Sequence, residues 1–165
     1  MPGNAKLATL PFPPARGEES ELARSIAYRL ATLAERVSRA IAQTYEETFD
    51  LTRPEWRVLA ALAANGAMTA RDLGPCSSLD KMQVSRAIQG LEAAGYVERR
   101  QDEKDKRSNI LRLTPGGEAL YRQIRPLVSA REAEILAALS PQERAALGDM
   151  IGRLRDRVET LVDAR

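Results

Sequence analysis

The chain has 165 residues, of which 44% are hydrophobic, 29% charged and only 4% aromatic, and it contains no histidine and a single cysteine. This length allows one hydrophobic core with an accessory element, and the composition favours helices over a β-rich fold. Lack of histidine and of a second cysteine excludes nucleophile–histidine pairs, structural zinc sites and intramolecular disulfides, while the formal net charge of +2 permits a nucleic-acid partner only where basic residues cluster.

The same features bear on location and chemistry. No apolar run approaches the roughly 18 residues of a membrane span, and the start of the chain lacks the apolar stretch of a signal peptide. No glycine-rich phosphate-binding loop is present. We therefore expect a soluble cytoplasmic protein that is not an enzyme and has no cofactor, metal or membrane partner.

The N-terminal part divides into an arm and a helix. Residues 1–20 carry four of the nine prolines and are expected to form a flexible arm. From Glu21 onward, apolar residues recur at steps of three or four and predict one long helix that ends near Phe49. Its apolar stripe consists of Leu22, Ile26, Leu30, Leu33, Val37, Ile41 and Tyr45.

Two capping signals then predict two further helices. Thr52, followed by Glu55 at the third helical position, forms a capping box for a helix that ends at Asn65-Gly66. Thr69, with Asp72 three residues later, starts a short helix that is expected to end around Gly74-Pro75.

Asp80 caps the next helix, residues 80–94, whose two faces differ. Val84, Ile88 and Leu91 form its buried stripe, and Gly95 provides the left-handed residue that ends it. The other face carries side chains able to hydrogen-bond base edges, namely Lys81, Gln83, Ser85, Arg86 and Gln89. Met82 either contacts a thymine methyl group or packs within the protein, and we favour packing.

The segments "YVERR" and "SNILRL" are rich in strand formers and flank "DEKDKRS", residues 102–108, which becomes the tip of a β-hairpin. Acidic residues dilute its positive charge, since five basic and three acidic side chains between residues 99 and 108 leave a net charge of +2. The basic residues are Arg99, Arg100, Lys104, Lys106 and Arg107.

Two helices are predicted for the C-terminal part. Thr114 caps the first, whose stripe comprises Leu120, Ile124, either Leu127 or Val128, Ile135 and Leu139. Ser140, with Glu143 at the third position, opens the second. Its apolar seam has nearly the coiled-coil period, which predicts that a partner helix packs against it. The seam contains Leu147, Ile151, Leu154, Val158 and Leu161.

This order of elements predicts a mainly α fold with a small β-hairpin wing: a winged helix-turn-helix DNA-binding domain at residues 51–113. The compact reading unit does not need the long helices on either side of it. We therefore assign residues 21–50 and 114–165 to a helical dimerisation domain, so that two reading heads meet palindromic double-stranded DNA.

The segments "LTRPEWRVLAAL", "LDKMQVSRAIQGLEAAGYVERR", "DKRSNILRLTPGGEAL" and "LSPQERAAL" resemble the MarR family of bacterial transcriptional regulators in order and spacing. The resemblance implies a homodimer with recognition helices in successive major grooves, wings in the flanking minor grooves, and release of repression by a small ligand. It also implies that Arg107 enters the minor groove while Asp105 holds the loop. We expect Arg99, Lys104 and Lys106 of the wing to contact DNA as well. Thr69 is expected to be a structural cap that can also meet a phosphate.

The resemblance further implies an effector cleft formed by Tyr28, Tyr45, Trp56 and Arg125, although the aromatic residues are also candidates for the core. The effectors typical of the family imply an aromatic acid or its coenzyme A thioester. Cys76 is expected to be a partly buried structural thiol.

Two other functions stay open at this point. A winged helix can serve only as a scaffold for protein–protein interaction, because fold does not fix function. A constitutive DNA binder without ligand control is the second alternative. The polar, arginine-bearing recognition helix favours a ligand-responsive repressor over the interaction module.

Overall fold

The computed structural model describes residues 24–101 and 109–163. The predicted arm, Leu22 and the wing-tip residues Lys104, Asp105, Lys106 and Arg107 lie outside these ranges. The chain divides after Arg39 into two compact units. None of the helices in the described ranges has the length and apolar character that a bilayer span requires.

Helix α1 spans Ile26–Ala42 and is followed by a one-turn helix, α2, at Glu46–Phe49. The prediction of one helix continuing to Phe49 is therefore wrong. The break occurs where the amide and hydroxyl of Thr44 both donate to the carbonyl oxygen of Ile41, at 3.0 and 2.7 Å, which tightens the last turn. Tyr45 is thereby turned into the core, where it is 2% exposed.

The elements that follow form a winged helix-turn-helix. Helix α3 (Arg53–Asn65) precedes strand β1 (Met68–Thr69), helix α4 (Ala70–Ser77) and helix α5 (Lys81–Ala93). Strands β2 (Val97–Gln101) and β3 (Asn109–Leu113) pair antiparallel, with Val97 opposite Leu113 and Gln101 opposite Asn109. The mainly α fold with a small hairpin is thus confirmed.

Strand β1 was not predicted from the sequence. It pairs with β3 through Met68 opposite Leu111 and Thr69 opposite Ile110, which gives the strand order β1-β3-β2. Two residues are too few to show an alternating pattern in the sequence. The strand forms along the edge of β3 that β2 leaves free. The wing base is consequently attached to the helix-turn-helix at its start as well as at its end.

The predicted end of α4 is also wrong, because the helix continues through Pro75 to Ser77. Leu73 is fully buried and Ser77 is 6% exposed, so packing of this last turn outweighs the hydrogen bond that the proline cannot donate. The expectation of a partly buried Cys76 fails as well. The buried positions of α4 are occupied by Leu73 and Ser77, and the thiol is exposed.

Two long helices complete the chain: α6 spans Pro115–Leu136 and α7 spans Pro141–Asp163. On α6 the ambiguous stripe position is resolved in favour of Val128, which is 9% exposed against 41% for Leu127. Helices α3, α5 and α6 share one core with the sheet, and its largest fully buried side chains include Tyr45, Leu59, Leu73, Ile88, Leu91, Leu111 and Ile124.

Candidate nucleic-acid interface

The orientation of α5 is set by its N-terminal cap and by its apolar side. The Asp80 carboxylate accepts a hydrogen bond from the backbone amide of Gln83 at 2.8 Å, and the side-chain oxygen of Gln83 accepts one from the backbone amide of Asp80 at 3.1 Å. On the inner side, Val84, Ala87, Ile88 and Leu91 are at most 3% exposed. The capping box fixes where the helix begins, and the buried stripe fixes which side faces outward.

The outer side of α5 carries the residues predicted to contact DNA. All five are exposed, and we refer to this surface as the reading face: Lys81, Gln83, Ser85, Arg86 and Gln89. Gln83 also holds the cap through its side-chain oxygen, which leaves its NH₂ group as the donor that can face outward. The structure therefore brings together every recognition-helix residue that was predicted from the sequence.

Met82 lies on the same surface and contradicts the packing interpretation. Its side chain is 62% exposed, in the first turn of a helix whose inner side is already filled by other residues. Packing in the core of this chain therefore does not explain why an apolar side chain lies within this polar, exposed face.

Helix α4 meets the recognition helix through a short turn. The Thr69 hydroxyl accepts from the Asp72 amide at 3.3 Å and donates to the Asp72 carboxylate at 2.7 Å, so it serves as the predicted N-cap of α4. Ser78 then adopts a left-handed conformation, with φ of 53°, that ends α4 and turns the chain into α5.

Charge pairing organises the base of the wing. Arg99 donates from Nε and Nη2 to the two carboxylate oxygens of Glu92 on α5, at 3.0 and 3.2 Å. On the same strand, Glu98 accepts from Arg112 and lies 3.3 Å from Arg100 Nε. Hydrogen bonding from Arg112 holds the pKa of Glu98 below its usual range. Arg99, which was predicted to contact DNA, thus links the wing to the recognition helix, a role that the sequence did not indicate.

The predicted effector residues are only partly brought together. The rings of Tyr45 and Trp56 lie 5.4 Å apart, and Trp56 stacks on Tyr121 at 5.7 Å with an interplanar angle of 16°. Burial raises the pKa of Tyr45 to about 12, with the nearby Glu46 carboxylate adding to the effect. Arg125 is exposed, and so is Tyr28, at 38%. Tyr121 was missed, although its place between Leu120 and Ile124 put it beside the buried stripe of α6.

An open groove of about 600 Å³ lies between the end of α3, the wing base and the start of α6, and Tyr121, which stacks on Trp56, is among the residues that line it. None of the predicted effector residues lines it. Its two arginines each have a carboxylate partner, Arg112 with Glu98 and Arg122 with Glu118. Both guanidinium groups of the groove are therefore already paired within the protein, and the groove is a poor site for an anion.

Comparisons with known proteins agree with this architecture. A family model described as MarR family matches residues 49–108. An uncharacterized helix-turn-helix transcriptional regulator of Bacillus subtilis, YkoM, is 33% identical over 131 residues, which cover 79% of this chain and 84% of that protein.

Solved structures extend the likeness. That of Bordetella bronchiseptica BpsR, whose DNA binding is regulated by 6-hydroxynicotinic acid, matches with a TM-score of 0.72 and 26% identity, covering 81% of this chain and 94% of that one. NadR in complex with 4-hydroxyphenylacetate also has a TM-score of 0.72 and 26% identity, covering 83% of this chain and 99% of that one. The chain belongs to the MarR family of winged-helix, DNA-binding transcriptional regulators.

Proposed function

We propose that this chain is a homodimeric repressor that binds a pseudo-palindromic operator and is released by a small aromatic acid or its coenzyme A thioester. The observation that carries the proposal is the reading face of α5. A helix of 13 residues presents polar side chains to solvent while its opposite side is buried. This is the arrangement by which a recognition helix enters the major groove and contacts base edges.

The residues that serve DNA binding divide into three groups in this proposal: the reading face, Arg99 and the wing tip. Lys81 and Arg86 supply positive charge, while Gln83, Ser85 and Gln89 supply hydrogen-bonding groups to bases and phosphates. Arg99 orients the wing through Glu92. At the wing tip, Arg107 is proposed from the family resemblance to enter the minor groove while Asp105 holds the loop, and Lys104 and Lys106 are proposed to contact DNA.

Dimerisation is proposed from an apolar surface on α7. Ile151, Leu154, Val158 and Leu161 are each between 51% and 57% exposed, and they recur at steps of three or four along a helix of 23 residues. Leaving such a stripe in water forfeits roughly 25 cal/mol for each Å² that a partner would bury. A second copy of the chain covers it and places two reading faces about 34–36 Å apart on DNA. From the sequence pattern, Leu147 is proposed to belong to this stripe, and Leu22 and Ile26 are proposed to serve dimerisation on the N-terminal helix.

Effector binding is proposed beside the aromatic cluster of Tyr45, Trp56 and Tyr121. Arg125 follows Tyr121 by four residues, which places both on one side of α6. A guanidinium there can bind a carboxylate while the rings pack against an aromatic effector. The compounds named with BpsR and NadR, 6-hydroxynicotinic acid and 4-hydroxyphenylacetate, belong to this chemical class. Tyr28 is retained as a proposed contributor.

The test is fluorescence-anisotropy binding to duplexes from the DNA flanking the gene, at several salt concentrations, with and without a panel of aromatic acids and their thioesters. Trp56, the single tryptophan, reports directly on effector binding. Cyclohexanecarboxylate is the matched control because it has the charge of benzoate without the ring.

Tight binding to one pseudo-palindrome over a scrambled duplex, weakened by an aromatic acid but not by the control, would support the proposal. Operator binding that no compound weakens would indicate a constitutive binder. Weak binding that follows salt and ignores sequence would reflect phosphate attraction alone and would favour a protein-interaction module.

A further inference from the structure

One exposed side chain, that of Met82, lies among the residues of the reading face but cannot bind a DNA phosphate. Met82 is 62% exposed and carries no hydrogen-bond donor or charge, whereas the other exposed residues of the first two turns do. With 100° between successive helical residues, Met82 points about 170° away from the mean direction of the four buried side chains Val84, Ala87, Ile88 and Leu91. It therefore occupies the middle of the outward surface.

Its neighbours on that surface are the residues proposed to contact DNA. Arg86 and Gln89 follow at four and seven positions, so they form one stripe with Met82 along the outer side of α5. Met82 is also the second residue of the helix. The N-terminal residues of a recognition helix are the ones that approach base edges most closely.

From this position we infer that Met82 is a specificity-determining residue that reads the 5-methyl group of a thymine in each half-site of the operator. The inference rests on the proposed function, because it requires the reading face to enter the major groove. It assigns to this chain one apolar contact in addition to the polar contacts already proposed.

The chemistry favours thymine over the other bases. Among the four bases only thymine presents an apolar group, the C5-methyl, at the major-groove edge. The thioether side chain has three rotatable bonds and adapts its shape to an apolar partner. Placed against the exposed amino group of cytosine or adenine, the same side chain would leave that group without a hydrogen-bond partner.

The experiment first selects duplexes from a fully randomised double-stranded library with the wild-type chain. Each thymine of the selected half-site is then replaced, one at a time, by deoxyuridine, which removes only the methyl group. Binding of the wild-type chain and of Met82→Ala is measured by anisotropy on every duplex. Thermal unfolding of the variant serves as the folding control, and we expect it to be unchanged because the side chain is exposed.

We expect one thymine per half-site at which deoxyuridine weakens wild-type binding by about fourfold. This is the loss expected when one methylene-sized group is no longer buried against Met82. Met82→Ala should bind the thymine and deoxyuridine duplexes equally at that position and keep the wild-type salt dependence. Met82→Gln, which has similar length and is polar, should behave like the alanine variant.

Two results would overturn the inference in distinguishable ways. If the library yields no enriched sequence, the proposed function fails and the inference fails with it. If a sequence is enriched but no thymine is sensitive to methyl removal, or the sensitivity persists in Met82→Ala, the proposed function stands and the role of Met82 is refuted.

Discussion

Arg99 and Glu92 form a two-point ion pair, with Nε and Nη2 of the guanidinium 3.0 and 3.2 Å from the two carboxylate oxygens. The pair joins the first strand of the wing to the last turns of the recognition helix. Its side chains are 44% and 28% exposed, so its contribution to the free energy of unfolding is about 0.2–1 kcal/mol. Its larger consequence is geometric, because it fixes the direction in which the wing leaves α5.

Replacing Glu92 by glutamine tests this link. The variant releases Arg99 to neutralise a DNA phosphate, so we expect the slope of log K against log salt to steepen by about 0.9, the value for one additional phosphate contact. We also expect discrimination between operator and scrambled duplexes to decrease as the wing loses its fixed direction. Glu118→Gln makes the same change of charge on α6 and should keep the wild-type slope. Equal slopes for the two variants would contradict the proposed link.

Gly90 on α5 lies close to the Glu55 side chain of α3, and Gly117 on α6 lies close to the backbone of Tyr96 between α5 and β2, so their replacement by alanine should have different costs. A Cβ at Gly117 would lie 2.1 Å from the carbonyl oxygen of Tyr96, whereas a Cβ at Gly90 would lie 2.0 Å from a carboxylate oxygen of Glu55. The Tyr96 carbonyl is backbone and also accepts from the Thr114 amide at 3.0 Å, so it cannot move independently.

We therefore expect Gly117→Ala to lower the free energy of unfolding by about 1–3 kcal/mol, the usual cost of overpacking. For Gly90→Ala, the Glu55 side chain can rotate away at the loss of a capping bond worth about 1 kcal/mol. A gain of about 1 kcal/mol in helix propensity offsets this loss. Urea denaturation at one protein concentration measures both variants, and similar losses would show that the obstacle at Gly90 is equally rigid.

Tyr45 should make stability depend on pH in the alkaline range. Burial raises its pKa to about 12 in the folded state from an ordinary value of 10.0. The unfolded chain therefore releases this proton first, and the stabilisation present below pH 10 is lost progressively as the pH rises towards 12. We expect the urea midpoint of the wild-type chain to fall more steeply between pH 9 and 11 than that of Tyr45→Phe. Parallel declines would show that the hydroxyl is not responsible.

Local chemistry and tertiary packing were not equally predictable from the sequence. The five predicted helix caps are all confirmed, because each depends on a side chain and an amide three residues apart: Thr52, Thr69, Asp80, Thr114 and Ser140. The predicted end of α4 was wrong because burial of Leu73 and Ser77 outweighs the break that Pro75 suggests, and burial depends on distant partners. The predicted end of α1 was wrong because Thr44 bonds back to the Ile41 carbonyl, which an unbroken apolar stripe does not reveal.

The candidate site shows the same division. The outward face of α5 followed from its periodicity, since the position of the buried stripe determines the opposite side. The exposure of Met82 follows from the same periodicity, because Met82 lies opposite the buried stripe, and the packing interpretation did not take this into account. The pairing of Arg99 with Glu92 did not follow, because it depends on which neighbours the fold supplies.

The proposed division of labour between dimerisation and DNA binding gives a pair of matched variants. Leu154 is 51% exposed on the apolar stripe of α7, so Leu154→Gln should weaken self-association, and a single subunit would then bind only one half-site. Arg107→Ala removes a guanidinium proposed to enter the minor groove, where a narrow A·T-rich groove has enhanced negative potential. It should weaken operator binding without dissociating the dimer. Sedimentation velocity and anisotropy on the same samples separate the two effects, and loss of the dimer in Arg107→Ala would refute the division.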